Sequence, residues 1–306
     1  MRILLTGASG FVGSNFAHVF AERHDAEVVA PPHDQLDVSD AMRVRRTVAS
    51  VRPDAIVHTA IWNDPQGLLK QRRRAWRDYV EATRNLVDAA NALELPVVLI
   101  STDWVFDGTQ GPATEDEPPR PVNSYGFLKA CSELVVTERA RRGMVARIAA
   151  VQGVHRARPS LPRTQDAGFG YLAVSLVAAL QRGDPFVLWE GANVNALATP
   201  TLATDAAELV WRALERDITG VLHCCGGEHA SRIELARRAA EAFGLDSELL
   251  RTGPPPAHLL TGEAVPYDTR LDARRTATLL GVELPTLDQL LDRLRSECHE
   301  MVGDLS

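Results

Sequence analysis

The chain has 306 residues, 45% hydrophobic, 24% charged and 6% aromatic, with 21 Gly and 18 Pro, which excludes collagen-like and disordered classes and implies a core of aliphatic side chains and alanine. Its length suits one large domain or two modest ones. A formal net charge of −7 argues against a nucleic-acid-binding surface, which needs clustered cations, while a small anionic ligand can still be held at a locally positive site.

Short apolar runs alternate with helical patterns through the first half. Arg2–Thr6 predicts a strand, Val12–Arg23 a helix, Glu27–Ala30 a strand and Ala41–Val51 a helix. Ala55–Ala60 follows as a strand, Arg74–Leu93 as a long helix and Val97–Ser101 as a fourth strand. Beyond a Pro-rich loop come a helix near Tyr125–Arg141 and a strand at Val145–Val151. Apolar strands separated by helices indicate a parallel sheet covered on both faces, and right-handed crossovers make it doubly wound. The fold class expected is therefore α/β.

The second half is less regular. Residues 153–170, rich in Pro, Gly and Arg, read as a loop over a site; Leu172–Gln181 is helical and Phe186–Trp189 a short strand. Leu202–Glu215 forms an amphipathic helix, Gly220–Cys225 a strand, and Ser231–Phe243 a helix that Ser231 caps. A turn at Gly253–Pro256 precedes helices near Asp272–Leu280 and Leu287–His299. The domain reading is a first domain built on the parallel sheet over residues 1–152, with 196–224 returning to it. A smaller interleaved substrate lobe takes 153–195 and 225–306.

No targeting segment is legible. Met1-Arg2 leads straight into Ile3-Leu4-Leu5, and no run approaches the roughly 18 apolar residues of a membrane span, so a cytoplasmic location and no membrane partner are expected. Cys131, Cys224, Cys225 and Cys298 form no CxxC pair, and adjacent strand residues such as Cys224 and Cys225 point to opposite faces. All four are expected to be reduced, and no metal site is expected.

Two motifs carry chemistry. Thr6-Gly7-Ala8-Ser9-Gly10-Phe11-Val12-Gly13 stands between the first strand and the first helix. Gly7 permits the tight turn, Gly10 lets a pyrophosphate approach the backbone, and Gly13 allows close helix–strand packing; the helix amino terminus offers free N–H groups and the positive end of its dipole. This is a dinucleotide-binding pattern of the Rossmann type. The second motif is Tyr125-Gly126-Phe127-Leu128-Lys129, where the four-residue spacing puts Tyr125 and Lys129 on one helix face. An ammonium there favours the phenolate and lowers the tyrosine pKa. Ser101-Thr102-Asp103 ends the fourth strand, at the edge of the sheet where ligands bind in such folds.

With these residues in view, the chain resembles extended short-chain dehydrogenase/reductases, specifically the dTDP-4-dehydrorhamnose reductase branch, over nearly its whole length. The resemblance includes Leu36-Asp37-Val38-Ser39-Asp40, the segment Arg52 to His58, Ser101 to Gly108, and the run from Glu115-Asp116 to Tyr125-Gly126. The same segments resemble the regulatory beta subunit of methionine adenosyltransferase. The family likeness implies that Tyr125 is the general acid, Lys129 holds the nicotinamide ribose, and Thr102 donates to the reacting carbonyl oxygen. It further implies that Asp37 and Val38 lie against adenine and that Thr59, Ala60 and Ile61 line the dinucleotide. Gly7, Ser9, Gly10, Phe11, Val12, Gly13 and Ser101 complete the cofactor residues, and Asp103, Trp104, Ala150 and Arg156 are the candidate substrate residues.

Departures from the branch lie on the substrate side. Tyr79 stands where the family usually has asparagine, Ala149 and Ala150 replace small polar residues and a pocket tryptophan, and Val265-Pro266 replaces Arg-Pro. The reading is thus an NAD(P)H-dependent reductase of a keto group on a sugar nucleotide or a similar polar, anionic metabolite, acting as a monomer or homodimer. A nicotinamide-recycling epimerase or dehydratase and a non-catalytic regulatory subunit are the alternatives. Ala30-Pro31-Pro32-His33-Asp34 has neither an acid nor a base at the first position after the second strand, so NADP and NAD both stay open, with an inclination to NADP because reductive members often use it. Arg156, Arg158 and Arg163 are expected near an anionic group, His58 as a core histidine, and the run Lys70–Arg77 as a solvated helix start.

Overall fold

Alternate burial along each strand sets the architecture. In β1 (Arg2–Thr6), Ile3 and Leu5 enter one apolar cluster and Leu4 another on the opposite face, so the strand must be covered on both sides. The computed structural model describes residues 1–160 and 164–303, so Arg163 lies outside the described residues. After β1 come α1 (Phe11–His18), extended by a wide π-helical turn over Val19–Arg23, then β2 (Glu27–Val29), α2 (Ala41–Val51) and β3 (Ala55–His58). Two short helices follow, α3 (Pro65–Lys70) and α4 (Arg72–Trp76), then a π-helical turn at Arg77–Glu81 leading into α5 (Ala82–Ala92). The segments β4 (Val97–Thr102), α6 (Ser124–Arg139) and β5 (Gly143–Ile148) complete the first half.

Later elements are shorter. They are β6 (Val151–Gln152), α7 (Leu172–Gln181), β7 (Phe186–Trp189), β8 (Leu197–Ala198), β9 (Thr201–Leu202), α8 (Ala203–Glu215) and β10 (Gly220–His223). The remainder comprises β11 (Ala230–Ser231), α9 (Arg232–Ala242), β12 (Leu250–Gly253), α10 (Arg274–Leu280) and α11 (Leu287–Gly303). Six strands form one parallel sheet in the order β10-β5-β4-β3-β1-β2. The chain winds outward from β1 in both directions, and this doubly wound α/β sheet is the expected fold class. Phe16, Phe20 and Trp211 cover one face from α1, its extension and α8; Val44, Val48, Leu86 and Val136 cover the other from α2, α5 and α6.

A second core joins α7, α9 and α11 through Leu172, Leu176, Leu235, Leu290, Leu291 and Leu294. The last helix also reaches the sheet body: Arg293 donates to Asp205 at 2.6 Å, and Glu297 accepts from the Thr204 hydroxyl at 2.6 Å. Helix α10, assigned from sequence to the substrate lobe, packs on α8 and β10 and puts Leu280 into the sheet core.

Several sequence boundaries shift for local reasons. The expected Arg74–Leu93 helix begins two residues earlier, as α4, and carries the π-type turn within it. The expected strand Val145–Val151 stops at Ile148, because Ala150 takes φ +44° and turns the chain into β6. Where a turn was expected from Gly253, that residue ends β12, which pairs in parallel with β7; its half-exposed sequence Leu-Arg-Thr-Gly carries little strand signal. Ser231 does cap α9, accepting from the Glu234 N–H at 3.1 Å.

Behind the sheet's carboxyl edge lies a buried ion pair. Arg147 of β5 and Glu133 of α6 meet at 2.8 Å with side-chain exposures of 2% and 4%. Ser101 of β4 donates to the same carboxylate, and Arg147 reaches the Nε2 of His223 in β10 at 3.4 Å. Burial and the Arg147 charge push His223 down to about 3, so its neutral ring accepts from Arg147 and donates through Nδ1 to the Asp272 carbonyl. Removing one member leaves an uncompensated charge, whereas removing both need not. Glu133→Leu is expected to lower the unfolding free energy by about 3–5 kcal/mol, with Glu133→Leu/Arg147→Met recovering most of that, read from urea denaturation.

Candidate active site

The glycine turn is shaped by contacts that no side chain would allow. Gly7 has φ +83°, and a Cβ there would lie 2.5 Å from the backbone nitrogen of Ala60. A Cβ on Gly13 would lie 2.2 Å from the Gly7 carbonyl oxygen and 2.5 Å from Thr59 Oγ1. Around Gly10 the space is open: its Cβ would meet only the Gly7 oxygen, at 3.2 Å. Two glycines therefore seat the turn against Thr59 and Ala60, and the third faces outward at the amino terminus of α1. Thr59 completes the seat by donating its hydroxyl to the Thr6 carbonyl at 2.6 Å.

The neighbouring sequence-predicted residues fall along the same edge. Ser9 and Ile61 are exposed, while Val12, Asp37, Val38 and Ala60 are half-buried. Asn85 of α5 donates to the carbonyls of Val38 and Ser39, at 3.0 and 3.1 Å, and fixes the loop after β2. Burial pushes the Asp37 carboxyl up, but hydrogen bonds from Ser39 and the charges of His33 and Arg77 outweigh it and hold the group below its usual range. Phe11 leaves the turn to pack against Tyr171, with ring centroids 4.5 Å apart and planes tilted by 36°.

Tyr125, Thr102 and Lys129 come together at the end of β4. Asn123 caps α6 by accepting from the Gly126 N–H at 2.8 Å, and a Cβ on Gly126 would strike the Trp104 carbonyl oxygen. Tyr125 thus enters on the first turn, edge-on to Trp104 and to Tyr79 at centroid distances of 6.1 and 6.3 Å. Burial raises the phenol's pKa, hydrogen bonding with Thr102 works against this, and the charges of Asp103 and Asp166 raise it further. This corrects the expectation that Lys129 governs the tyrosine. The Lys129 ammonium is buried and donates to the Ile100 carbonyl at 2.5 Å; burial pushes it down to about 8 against the opposing pull of Glu133.

Four predicted residues have other occupations. Ser101 spends its hydroxyl on Glu133 at 2.5 Å instead of facing the cleft. Asp103 is buried behind Thr102, accepting from Thr102 at 3.0 Å and from Thr269 at 2.5 Å. Ala150 lies in the second core with Phe169 and Leu172, because the kink at its backbone turns the methyl inward. Arg156 hydrogen-bonds Asn15 at 3.2 Å and faces Glu297 at 3.8 Å, so its charge is held between α1 and α11. Trp104 stays at the cleft, with its ring edge toward Gly168 and against Tyr125. His58 is a core histidine as expected, at 2.7 Å from Thr6 and pushed down to about 3 by burial and Lys129.

Asp166 is the residue the sequence reading missed. The residue is exposed, yet the protein around its carboxyl raises the pKa by desolvation, and the carboxyl accepts from the Gly170 N–H at 3.0 Å. A buried Arg232 braces that loop from behind, donating to Gln165 Oε1 at 2.7 Å and to the Gly168 carbonyl. The glycines at 168 and 170, which give the carboxylate room, were the available signal. Among the described residues, no group of three or more His, Cys, Asp or Glu side chains is placed to hold a metal ion, and no helix is long and apolar enough to cross a membrane.

Comparison with known proteins gives a consistent picture. Residues 1–185 match the family described as the RmlD substrate binding domain. The beta subunit of methionine adenosyltransferase 2 from Bos taurus is 27% identical over 284 residues, spanning 91% of this chain and 82% of that protein. A dTDP-4-dehydrorhamnose reductase from Bacillus anthracis, in complex with NADP, superposes with a TM-score of 0.82 at 19% identity, over 97% of this chain and 99% of that one. A hypothetical dTDP-4-dehydrorhamnose reductase from Sulfolobus tokodaii gives a TM-score of 0.76 at 27% identity, over 94% and 99% of the two chains.

The glycine packing makes a direct prediction. Gly13→Ala places a methyl against the Gly7 carbonyl and is expected to cost about 1–3 kcal/mol of stability, seen as a lower urea midpoint, whereas Gly10→Ala is expected to cost less than half as much.

Proposed function

The chain belongs to the RmlD substrate binding domain family, and from that premise we propose that it is an NAD(P)H-dependent reductase of a keto group on a sugar nucleotide or a similar polar metabolite. The observation that carries this reading is the meeting of Thr102, Tyr125 and Lys129 at the carboxyl end of β4, on the same sheet edge as the glycine turn. The turn fits a dinucleotide: Gly10 leaves the space that a side chain would fill, and the amino terminus of α1 presents N–H groups beside it. When bound, a reduced nicotinamide supplies the hydride.

Every other part of the chemistry falls to the chain. Tyr125 is kept protonated by burial and can give its phenolic proton to the carbonyl oxygen. Thr102 stabilises charge on that oxygen through its hydroxyl. Lys129 carries its positive charge below about pH 8, where it orients the cofactor ribose. Trp104 and Tyr79 flank the phenol with aromatic edges and limit water beside it.

A second reading has its own support. Relatives named as methionine adenosyltransferase 2 subunit beta align with most of the chain, so a nucleotide-binding regulatory subunit would share its fold and turn. Turnover separates the two.

Purified protein should oxidise NADPH in the presence of dTDP-4-dehydrorhamnose or a related 4-keto sugar nucleotide, and Tyr125→Phe should lower kcat by about 100-fold or more. Cofactor fluorescence without turnover on any such ketone would favour the regulatory reading. Because Lys129 loses its proton as pH rises through about 8, NADPH affinity should fall above that value, and Lys129→Met should bind weakly with no such pH dependence.

A further inference from the structure

The hydroxyl of Thr102 has one proton, and in this structure that proton is already engaged. Thr102 Oγ1 lies 3.0 Å from Asp103 Oδ1, the Trp104 N–H donates to Thr102 Oγ1 at 3.2 Å, and the Tyr125 phenol hydrogen-bonds with the same hydroxyl. An ionised carboxylate only accepts, so Thr102 must donate to it. A hydroxyl occupied in this way cannot also donate to a substrate carbonyl.

The other side of Asp103 is pinned. Thr269 Oγ1 lies 2.5 Å from Oδ2, and the Asn195 amide donates to Thr269 at 2.8 Å while also donating to the Pro266 carbonyl at 3.0 Å. Since Thr269 accepts from Asn195, its own proton stays directed at Oδ2. A proton added to Asp103 therefore goes to Oδ1, the oxygen that faces Thr102.

We propose that Asp103 is a positioning residue whose protonation on Oδ1 reverses the Thr102–Asp103 hydrogen bond and frees the Thr102 proton to point at the substrate carbonyl. The step transfers no heavy atom. Asp103 takes one proton from solvent, donates it in a hydrogen bond to Thr102 Oγ1, and the Thr102 hydroxyl rotates toward the cleft. This rests on the reductase reading above and adds a pH control to it.

The surroundings suit such a switch. Burial raises the Asp103 carboxyl to about 6, against the hydrogen bonds of Thr269 and Thr102, which favour the charged form. Among the described residues, the titratable groups that face it are the Tyr125 phenol of α6 and the Cys225 thiol just beyond β10, both raised by burial and neutral in this range. Neither offers a positive charge that would hold Asp103 ionised.

Two measurements test this. With NADPH and dTDP-4-dehydrorhamnose as the probe, kcat should rise as pH falls through about 6, approaching tenfold per unit above that value, and Asp103→Asn should abolish this limb. A merely structural role would scale kcat and leave the limb in place, which would overturn the proposal. In carbon-13 aspartate-labelled protein without substrate, the resonance missing from Asp103→Asn should titrate near 6 and move upward in Thr269→Val, which replaces the hydroxyl with a methyl group. Titration in the ordinary range near about 4 would also overturn it. Absence of turnover beside a titration near 6 would instead count against the reductase reading and leave the hydroxyl switch standing.

Discussion

One buried carboxylate holds the site in register. Glu133 receives Ser101 from β4 and Arg147 from β5, and Arg147 in turn meets His223 of β10. Three adjacent strands and one helix thus converge on a single charge that water cannot reach. Helix α6 cannot slide along the sheet without exposing an unpaired ion, whose desolvation cost would be several kcal/mol. Lys129 is one turn before Glu133 and Tyr125 is two, so the register fixed by the ion pair is also the register of the cleft. The short carbonyl contact of Lys129 and the edge-on packing of Tyr125 both follow from that placement.

The polar character of the cleft near Tyr125 is acidic. Asp103 and Asp166 both act to keep the phenol neutral, while Arg156, expected near an anionic group, is engaged with α1 and α11. Net charge gave no hint of this arrangement, because it depends on which of several arginines the fold draws inward. A raised pKa keeps the phenol protonated, the form in which a general acid must meet the substrate.

The sheet was legible because its signal is local and repeated. Ile3-Leu4-Leu5 and Val97–Ile100 are too uniformly apolar for a half-exposed strand, and the glycine turn announces its own backbone geometry. Tyr125 and Lys129 were legible from spacing alone. What escaped were side chains whose role depends on distant partners. Nothing in Ser101-Thr102-Asp103 says that Ser101 turns toward Glu133 while Asp103 turns toward Thr269, far along the chain. Strand β12 was missed for the same reason, since its pairing with β7 supplies what its sequence lacks. An arginine in the apolar strand Gly143–Ile148 and a glutamate four residues after Lys129 were visible clues to the ion pair, each ambiguous without the other.

The last helix gives the molecule a mechanical property. Through Leu290, Leu291 and Leu294 it belongs to the second core, while Arg293 and Glu297 fasten it to α8 on the sheet body. A segment shared in this way acts as a clasp between the two cores. Neither half can melt while the other stays intact, so heating should produce one cooperative transition.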